Sequence, residues 1–254
     1  MVRGSTAEAK LYVLTASHPC IAAELMLRHK GLEYRRVELP LILSRVILRA
    51  MRFPRKTVPA MRLGDRLVQG SRAISRALEE LRPDPPLFPR EPSARERVEE
   101  AEHWGETLQD TARRIEVWGL RRDRSGVELQ LRASTFPIPP RLGARFAAPV
   151  LWRYQRIIGA TEDAVRRDIA VLPTMVDHID RLIEDGVIDA QHPNAAALQI
   201  APSVRLLMTM GDLRPAIERR AAGSFAMRLV PTYPSRLGAD VLHEIQSSPP
   251  RSSG

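Results

Sequence analysis

The stretch Lys10-Leu11-Tyr12-Val13-Leu14-Thr15-Ala16-Ser17-His18-Pro19-Cys20 decides how the first third of this chain reads. Residues 10–15 form a run of strand length, apolar enough to be buried. Pro19 fits the first turn of a helix, where its missing N–H costs nothing. The helical pattern that follows runs to about Lys30 and stops at Gly31. A polar turn, Ser17 to Cys20, therefore joins a buried strand to a helix start. Working outward, residues 34–39 alternate and read as a second strand, ended by Pro40. Residues 41–53 read as a helix with Leu43, Val46, Ile47 and Ala50 on one face and Arg45, Arg49 and Arg52 on the other. Val58-Pro59-Ala60 leads into a hairpin built from residues 61–63, a Gly64-Asp65 turn and Leu67-Val68. Gln69-Gly70-Ser71-Arg72-Ala73-Ile74 then opens a helix over residues 71–81. The order is β-α-β-α-β-β-α.

Residues 82–92 carry five prolines, and this is the best domain boundary in the chain. Beyond it the pattern is helical, over residues 94–122, 145–158, 162–184, 195–210 and 213–220, with a proline-rich loop at 134–140. The expected division is a flexible start at 1–9, an α/β domain at 10–82, a linker at 83–92, an all-helical domain at 93–245 and a disordered tail at 246–254.

The net charge of +9 is concentrated at the front. Residues 1–90 hold 17 Lys and Arg against 8 Asp and Glu, and the remainder is neutral. Such a field favours an anionic ligand or surface. The basic run Arg45, Arg49, Arg52, Arg55 and Lys56 reads first as a solvated helix face, with a membrane surface as the lesser alternative. No zinc-finger, RNA-recognition or helix-turn-helix signature accompanies the charge, so a nucleic-acid partner is not expected. No stretch approaches an apolar membrane span, and residues 1–10 lack the apolar core of a signal peptide. A cytoplasmic protein without an integral membrane segment is expected. The one cysteine, Cys20, excludes an intramolecular disulfide and a cysteine-based zinc cluster. The acids Asp177, Asp180, Glu184 and Asp185 lack metal-ligand context and read as solvated, so no metal is expected.

These three segments, in this order, resemble the glutathione transferase family, with its thioredoxin-like N-terminal domain and all-α C-terminal domain. Ser17 stands where the resemblance places the residue that activates the thiol, as in the serine-type classes. A hydroxyl at a helix start favours a docked thiolate through the helix dipole and a hydrogen bond. Cys20 takes the second position of a thioredoxin-like cysteine pair. Near a helix N-terminus its pKa would fall, but a small buried apolar residue is the preferred reading. His18 reads as facing solvent. Val58-Pro59 resembles the family's cis-proline segment, whose preceding residue offers its backbone to the cysteinyl part of glutathione. Gln69-Gly70-Ser71 resembles the segment that holds the γ-glutamyl group, with Ser71 capping the helix and binding a carboxylate. Gly70 stands where the family has an acid, and Gln69 is the substitute at hand. Lys56, with the arginines before it, corresponds to the region that helps to bind the glycyl carboxylate.

Further along, Asn194 resembles the N-cap of a deep helix in the family's second domain, with Ala197 in place of the usual Asp. Trp104, Trp118, Met175 and His178 serve either as core or as the lining of an apolar co-substrate pocket. The resemblance implies a homodimer that conjugates glutathione, or another low-molecular-weight thiol, to an electrophilic apolar compound, as in detoxification. Gly70 and Ala197 keep open a second reading, a glutathione-transferase-like binding or regulatory protein without catalysis. A thiol–disulfide reductase using Cys20 is disfavoured, because Ser17 lacks the attacking thiol.

Overall fold

The computed structural model describes residues 9–243 and Ile245. The flexible start and the tail expected at the two ends fall, but for Ala9, outside the described residues. Ala9 itself belongs to the first strand.

Four strands form one sheet: β1 (Ala9–Val13), β2 (Tyr34–Glu38), β3 (Ala60–Leu63) and β4 (Arg66–Gln69). Their order is β2-β1-β3-β4, with β1 and β2 parallel and the other pairs antiparallel. Helices α1 (His18–His29), α2 (Ser44–Ala50) and α3 (Ser71–Leu81) complete the thioredoxin-like part. Side chains alternate across the sheet, as the two-residue period requires. Leu11, Val13, Met61 and Val68 pack in the main core, which also takes in α1 and α3 residues. Tyr12 and Ala60 face the other way, toward Leu48 and Phe53. The Tyr12 and Phe53 rings meet edge to face at 5.6 Å.

The helix expected over 41–53 is shorter, and its buried face is different. α2 has seven residues and buries Ser44 and Leu48, while Leu43 and Val46 stand 52% and 66% exposed. The Ser44 hydroxyl donates to the Leu41 carbonyl at 2.9 Å, and Arg52 leaves the helix at φ 65°. These two features set the rotation of the helix, and the apolar pattern alone could not.

After α3 the chain passes through the proline-rich segment into α4 (Pro92–Leu120), α5 (Arg124–Ala133), α6 (Pro140–Phe146), α7 (Ala148–Ile157), α8 (Glu162–Glu184), α9 (Ala195–Leu207), α10 (Arg214–Glu218) and α11 (Ala221–Leu229). No strand of the sheet comes from this part. α9 is buried almost all round, as an apolar central helix should be. The Asn194 side chain caps it, accepting from the Ala197 amide at 3.0 Å. Asp180 is not merely solvated as expected. It pairs with Arg220 at 2.7 Å and accepts from the Ala222 amide at the start of α11.

One apolar core runs through both parts of the chain. The proline-rich segment contributes to it, since Leu87 and Phe88 are 0% and 1% exposed. A polar seam adds to the junction. Glu102 of α4, fully buried, accepts from Ser75 at 2.6 Å and from Arg76. Burial pushes its carboxyl up, and those two partners offset only part of that shift.

Candidate active site

The register brings the three sequence segments together. Tyr12 pairs with Ala60, and Ala60 pairs with Gln69. The end of β1, the start of β3 and the end of β4 therefore lie side by side at one edge of the sheet. There the Ser17 turn, the Val58-Pro59 bond and the start of α3 converge. The Val58-Pro59 bond is cis, as expected, and Pro59 accepts from the Gly70 amide at 2.9 Å. Pro59 is buried, Val58 and Ser17 are half-buried, and Lys56 is exposed.

Ser17 is the N-cap of α1 by backbone geometry, but its hydroxyl caps no amide. That hydroxyl faces the Cys20 thiol instead and favours its thiolate form. Just before it, Ala16 is held at φ 61°, a conformation that costs a non-glycine residue about 1–3 kcal/mol. The Tyr233 hydroxyl donates to the Ala16 carbonyl at 2.6 Å and fixes this turn. Thr15 is tied down too. Its hydroxyl donates to Glu38, which also accepts from Ser134 Oγ at 2.6 Å and from the Thr135 amide at 2.8 Å. Burial opposes the charge on Glu38, but the bonds from Ser134, Thr15 and Thr135 outweigh it and hold the carboxyl below its ordinary value.

One expectation at this turn needs correction, and one is settled between alternatives. Cys20 is the small buried residue that the sequence favours, and its thiol does not become acidic. Cys20 is 1% exposed, and burial pushes its pKa up from 9.0 to about 11, with the Ser17 hydrogen bond offsetting part of the shift. A helix start lowers a thiol pKa only where the thiolate can also be solvated. His18 does not face solvent. It is 2% exposed, and its Nε2 lies 3.1 Å from the Gln109 carbonyl. Burial, and then the nearby Arg113 guanidinium, hold its imidazole well below the ordinary value. A test of the Cys20 environment follows. At neutral pH the native protein should carry about 100-fold less thiolate than an ordinary thiol, from a rise of 9.0 to about 11. Iodoacetamide should label Cys20 only after denaturation. Prompt labelling of the folded protein would contradict this.

The α3 side of the site is more occupied than the sequence suggests. Gln69 cannot substitute for a missing acid. Its Oε1 accepts from the Arg55 amide at 2.6 Å, and its Nε2 donates to the carbonyls of Arg55 at 2.8 Å and Thr57 at 2.5 Å. The side chain thus fixes the backbone on both sides of Lys56. Gly70 has φ 94° and ψ 147°, a region that side chains avoid. A Cβ there would lie 3.8 Å from the Arg55 guanidinium. A cation therefore stands over the start of α3, where the resemblance implies an acid. Ser71 is 5% exposed, and its hydroxyl donates to Gln199 Oε1 at 3.0 Å, while Gln199 Nε2 donates to the Glu102 carbonyl at 2.7 Å. For an incoming carboxylate, this leaves the backbone amides at the start of α3 and their positive end of the helix dipole.

Sequence reasoning missed the face of α4 that fronts the Ser17 turn. Gln109, Arg113 and Glu116 lie on it at i, i+4 and i+7. Gln109 Nε2 is buried with no hydrogen-bond partner. Burial pushes the Glu116 carboxyl up to about 8, although Gln130 donates to it at 2.8 Å. The half-buried Tyr154 and Tyr233 complete the surround, and burial raises the pKa of both hydroxyls. The i, i+4, i+7 spacing was the available signal, hidden in a helix of 29 residues.

Trp104, Met175 and His178 do share a cleft, with Val171, Thr174 and Arg181, of about 280 Å³. The Trp104 and His178 rings meet edge to face at 4.4 Å. This cleft opens between α4 and α8, whereas the Ser17 turn meets α4 at Gln109. Trp118 lies apart, buried under the Arg122 guanidinium at 3.9 Å.

Residues 11–86 match the family model for the glutathione S-transferase N-terminal domain. The thioredoxin-like N-terminal part of this chain is thus similar to that domain. Among solved structures, a glutathione S-transferase from Rhodospirillum rubrum is 18% identical, covers 96% of this chain and 94% of its own, and superposes with a TM-score of 0.58. A glutathione-S-transferase-like protein from Pseudomonas syringae is 17% identical over 98% of this chain and 77% of its own, with a TM-score of 0.58. A glutathione S-transferase from Methylobacterium radiotolerans, solved with glutathione sulfonate, is 18% identical over 87% of this chain and 88% of its own, with a TM-score of 0.59. At these identities the likeness is one of fold. No curated protein matches the sequence.

Proposed function

We propose that this protein is a glutathione-S-transferase-like enzyme that joins a low-molecular-weight thiol to an electrophilic compound, acting as a cytoplasmic homodimer. The observation that carries the reading is the convergence, fixed by strand register, of Ser17, cis-Pro59 and the start of α3 at one edge of the sheet. The thiol of the ligand sits at the Ser17 turn, its backbone pairs with Val58, and its carboxylate meets the amides at the start of α3 with Lys56 and Arg55 nearby. Thiolate sulfur attacks the electrophilic carbon. A sulfur–carbon bond forms, the leaving group departs with its electron pair, and the thiol proton passes to water.

Cys20 acts here as a positioning residue. When a thiol docks, the Ser17 O–H turns from Cys20 Sγ and donates to the ligand thiolate instead. The acceptor meets the Gln109, Arg113 and Glu116 face of α4, so it carries a hydrogen-bonding group beside its electrophilic centre. The likeness to a transferase solved with glutathione sulfonate supports a ligand of the glutathione type.

The ligand should differ from glutathione at one end. Arg55 over Gly70 and the occupied Gln69 leave no partner for a free ammonium. Isothermal calorimetry should therefore show tighter binding for N-acetylcysteine or a carboxylated thiol without an amine than for glutathione. Tight glutathione binding would overturn this assignment. Gly70→Glu should not restore it, since a side chain at φ 94° is strained by about 1–3 kcal/mol. The occupied Ser71 and Gln69 side chains favour a second reading, binding without catalysis. Thiol binding with no turnover of chlorodinitrobenzene or other electrophiles would select it.

A further inference from the structure

Two segments of this chain hold no acidic residue, residues 39–64 and 129–161. The first carries six Lys and Arg, the second five Arg. The same two segments hold ten of the twelve large apolar side chains that stand exposed among the described residues. In the first, Leu41, Ile42, Leu43 and Val46 lie at the start of α2, and Ile42 is 70% exposed. In the second, Leu142 and Phe146 stand one turn apart on α6, and Ile138 lies just before that helix. Trp152 and Ile157 of α7 extend the series, and Phe146 and Trp152 are 65% and 50% exposed. Arg45, Arg49, Arg52, Arg55, Arg145 and Arg153 are exposed and make no ion pair among the described residues.

Glu38 brings the two segments together. It ends β2 directly before residues 39–43, and it accepts from Ser134 and Thr135 directly before Ile138. The segments that lead into α2 and into α6 thus meet at Glu38. A shallow cleft of about 250 Å³ lies between Trp152, Arg153, Arg156 and Ile157, with the Arg156 guanidinium 4.8 Å from the Trp152 ring centre.

We propose that this combined face docks on an anionic lipid bilayer. Exposed apolar chains interspersed with unpaired cations are costly in water and suited to the headgroup–acyl boundary, where the apolar chains insert and the arginines stay with lipid phosphates. Aromatic side chains favour that depth. A second copy of this chain is the poorer occupant. A two-fold interface through this face would place the cationic surface against itself. Nucleic acid meets the arginines but leaves the apolar ridge in water. The Ser17 turn shares the Glu38 clasp through Thr15, so the docked face lies beside the candidate active site.

Flotation with mixed phosphatidylcholine–phosphatidylglycerol vesicles tests this. The protein should float with them, stay behind with phosphatidylcholine alone, and be released by raised salt. Each of Arg49→Gln, Arg145→Gln and Arg153→Gln should weaken vesicle affinity about fivefold. Phe146→Ser and Ile42→Ser should weaken it about tenfold each, with an unchanged melting temperature. Equal binding to neutral vesicles, or binding indifferent to Phe146→Ser and Ile42→Ser, would overturn the proposal. So would tighter binding to a DNA oligonucleotide than to the vesicles. A dimer that the two serine variants dissociate without lipid would assign the face to self-association instead.

Discussion

Replacing Lys30 by Met is expected to lower the free energy of unfolding by about 3–5 kcal/mol, the loss typical of removing one partner from a buried pair. Lys30 is 0% exposed. Its Nζ donates to Glu79 Oε2 at 2.5 Å, to the Pro85 carbonyl at 2.7 Å and to the Pro83 carbonyl at 3.4 Å. Glu79 also accepts from the Leu87 amide at 2.8 Å. The ammonium therefore ties the end of α1 to α3 and to the proline-rich segment that carries Leu87 and Phe88 into the core. In Lys30→Met the apolar stem is kept, but three acceptors lose their donor in a place water reaches poorly. Glu79 is 17% exposed and can recruit some water, which puts the loss toward the lower end of that range. For a chain of this size about 3 kcal/mol corresponds to a fall of about 6–12 °C in melting temperature. Calorimetry of the variant measures it, and an unchanged midpoint would refute the anchoring role. In a double-mutant cycle, Glu79→Gln should cost less in the Met background than alone, because the coupling is already lost.

The Lys30 anchor also shows where sequence reading stops. Prolines at 83, 85, 86 and 89 signalled a break in regular structure correctly, but a break is not a loose tether. A lysine more than 50 residues upstream is one of the distant partners that hold the segment. The same contrast runs through the fold. The Ser17 turn, the hairpin, α3 and α8 were legible because strand period, proline at a helix start and glycine turns are local signals. α8 begins at Glu162 and ends at Glu184, as the pattern predicts. α5 and α11 were not legible. Each contains a glycine, a poor helix former, placed there for packing: a Cβ on Gly223 would stand 2.3 Å from the Ile217 carbonyl, and one on Gly126 would stand 2.9 Å from Leu120. The helix expected over 145–158 is divided at Ala147, the shared boundary of α6 and α7, with Pro149 in the first turn of the second helix. At the site, the positions of Ser17, Val58, Pro59 and Ser71 could be read from motif order. What occupies their polar atoms could not. The Ser71 hydroxyl meets Gln199, 128 residues away, and His18 meets Gln109, 91 residues away. No local pattern reports on such partners, and they decide which groups remain for a ligand.

The largest functional effect is expected at Ser17, on the reading that the site activates a thiol. A hydrogen bond to a charged group is typically worth about 1.5–3 kcal/mol, and about 1.4 kcal/mol is already tenfold in rate. Ser17→Ala should therefore lower the transfer rate by tenfold to about 100-fold with the fold intact, because its side chain caps no amide of α1. The thiolate absorbance of the bound thiol should titrate at least one pH unit higher in the variant, which a purely structural role would not produce. Cys20 separates two versions of the mechanism. If Cys20 only orients the Ser17 hydroxyl, Cys20→Ser retains an acceptor for it and keeps most of the rate, while Cys20→Ala loses part of it. If Cys20 were the nucleophile, Cys20→Ser would be inactive and Ser17→Ala nearly normal. Burial, with a pKa pushed up to about 11, argues for the first. An unchanged rate and an unshifted thiolate titration in Ser17→Ala would remove Ser17 from the chemistry and leave binding without catalysis as the better account of this site.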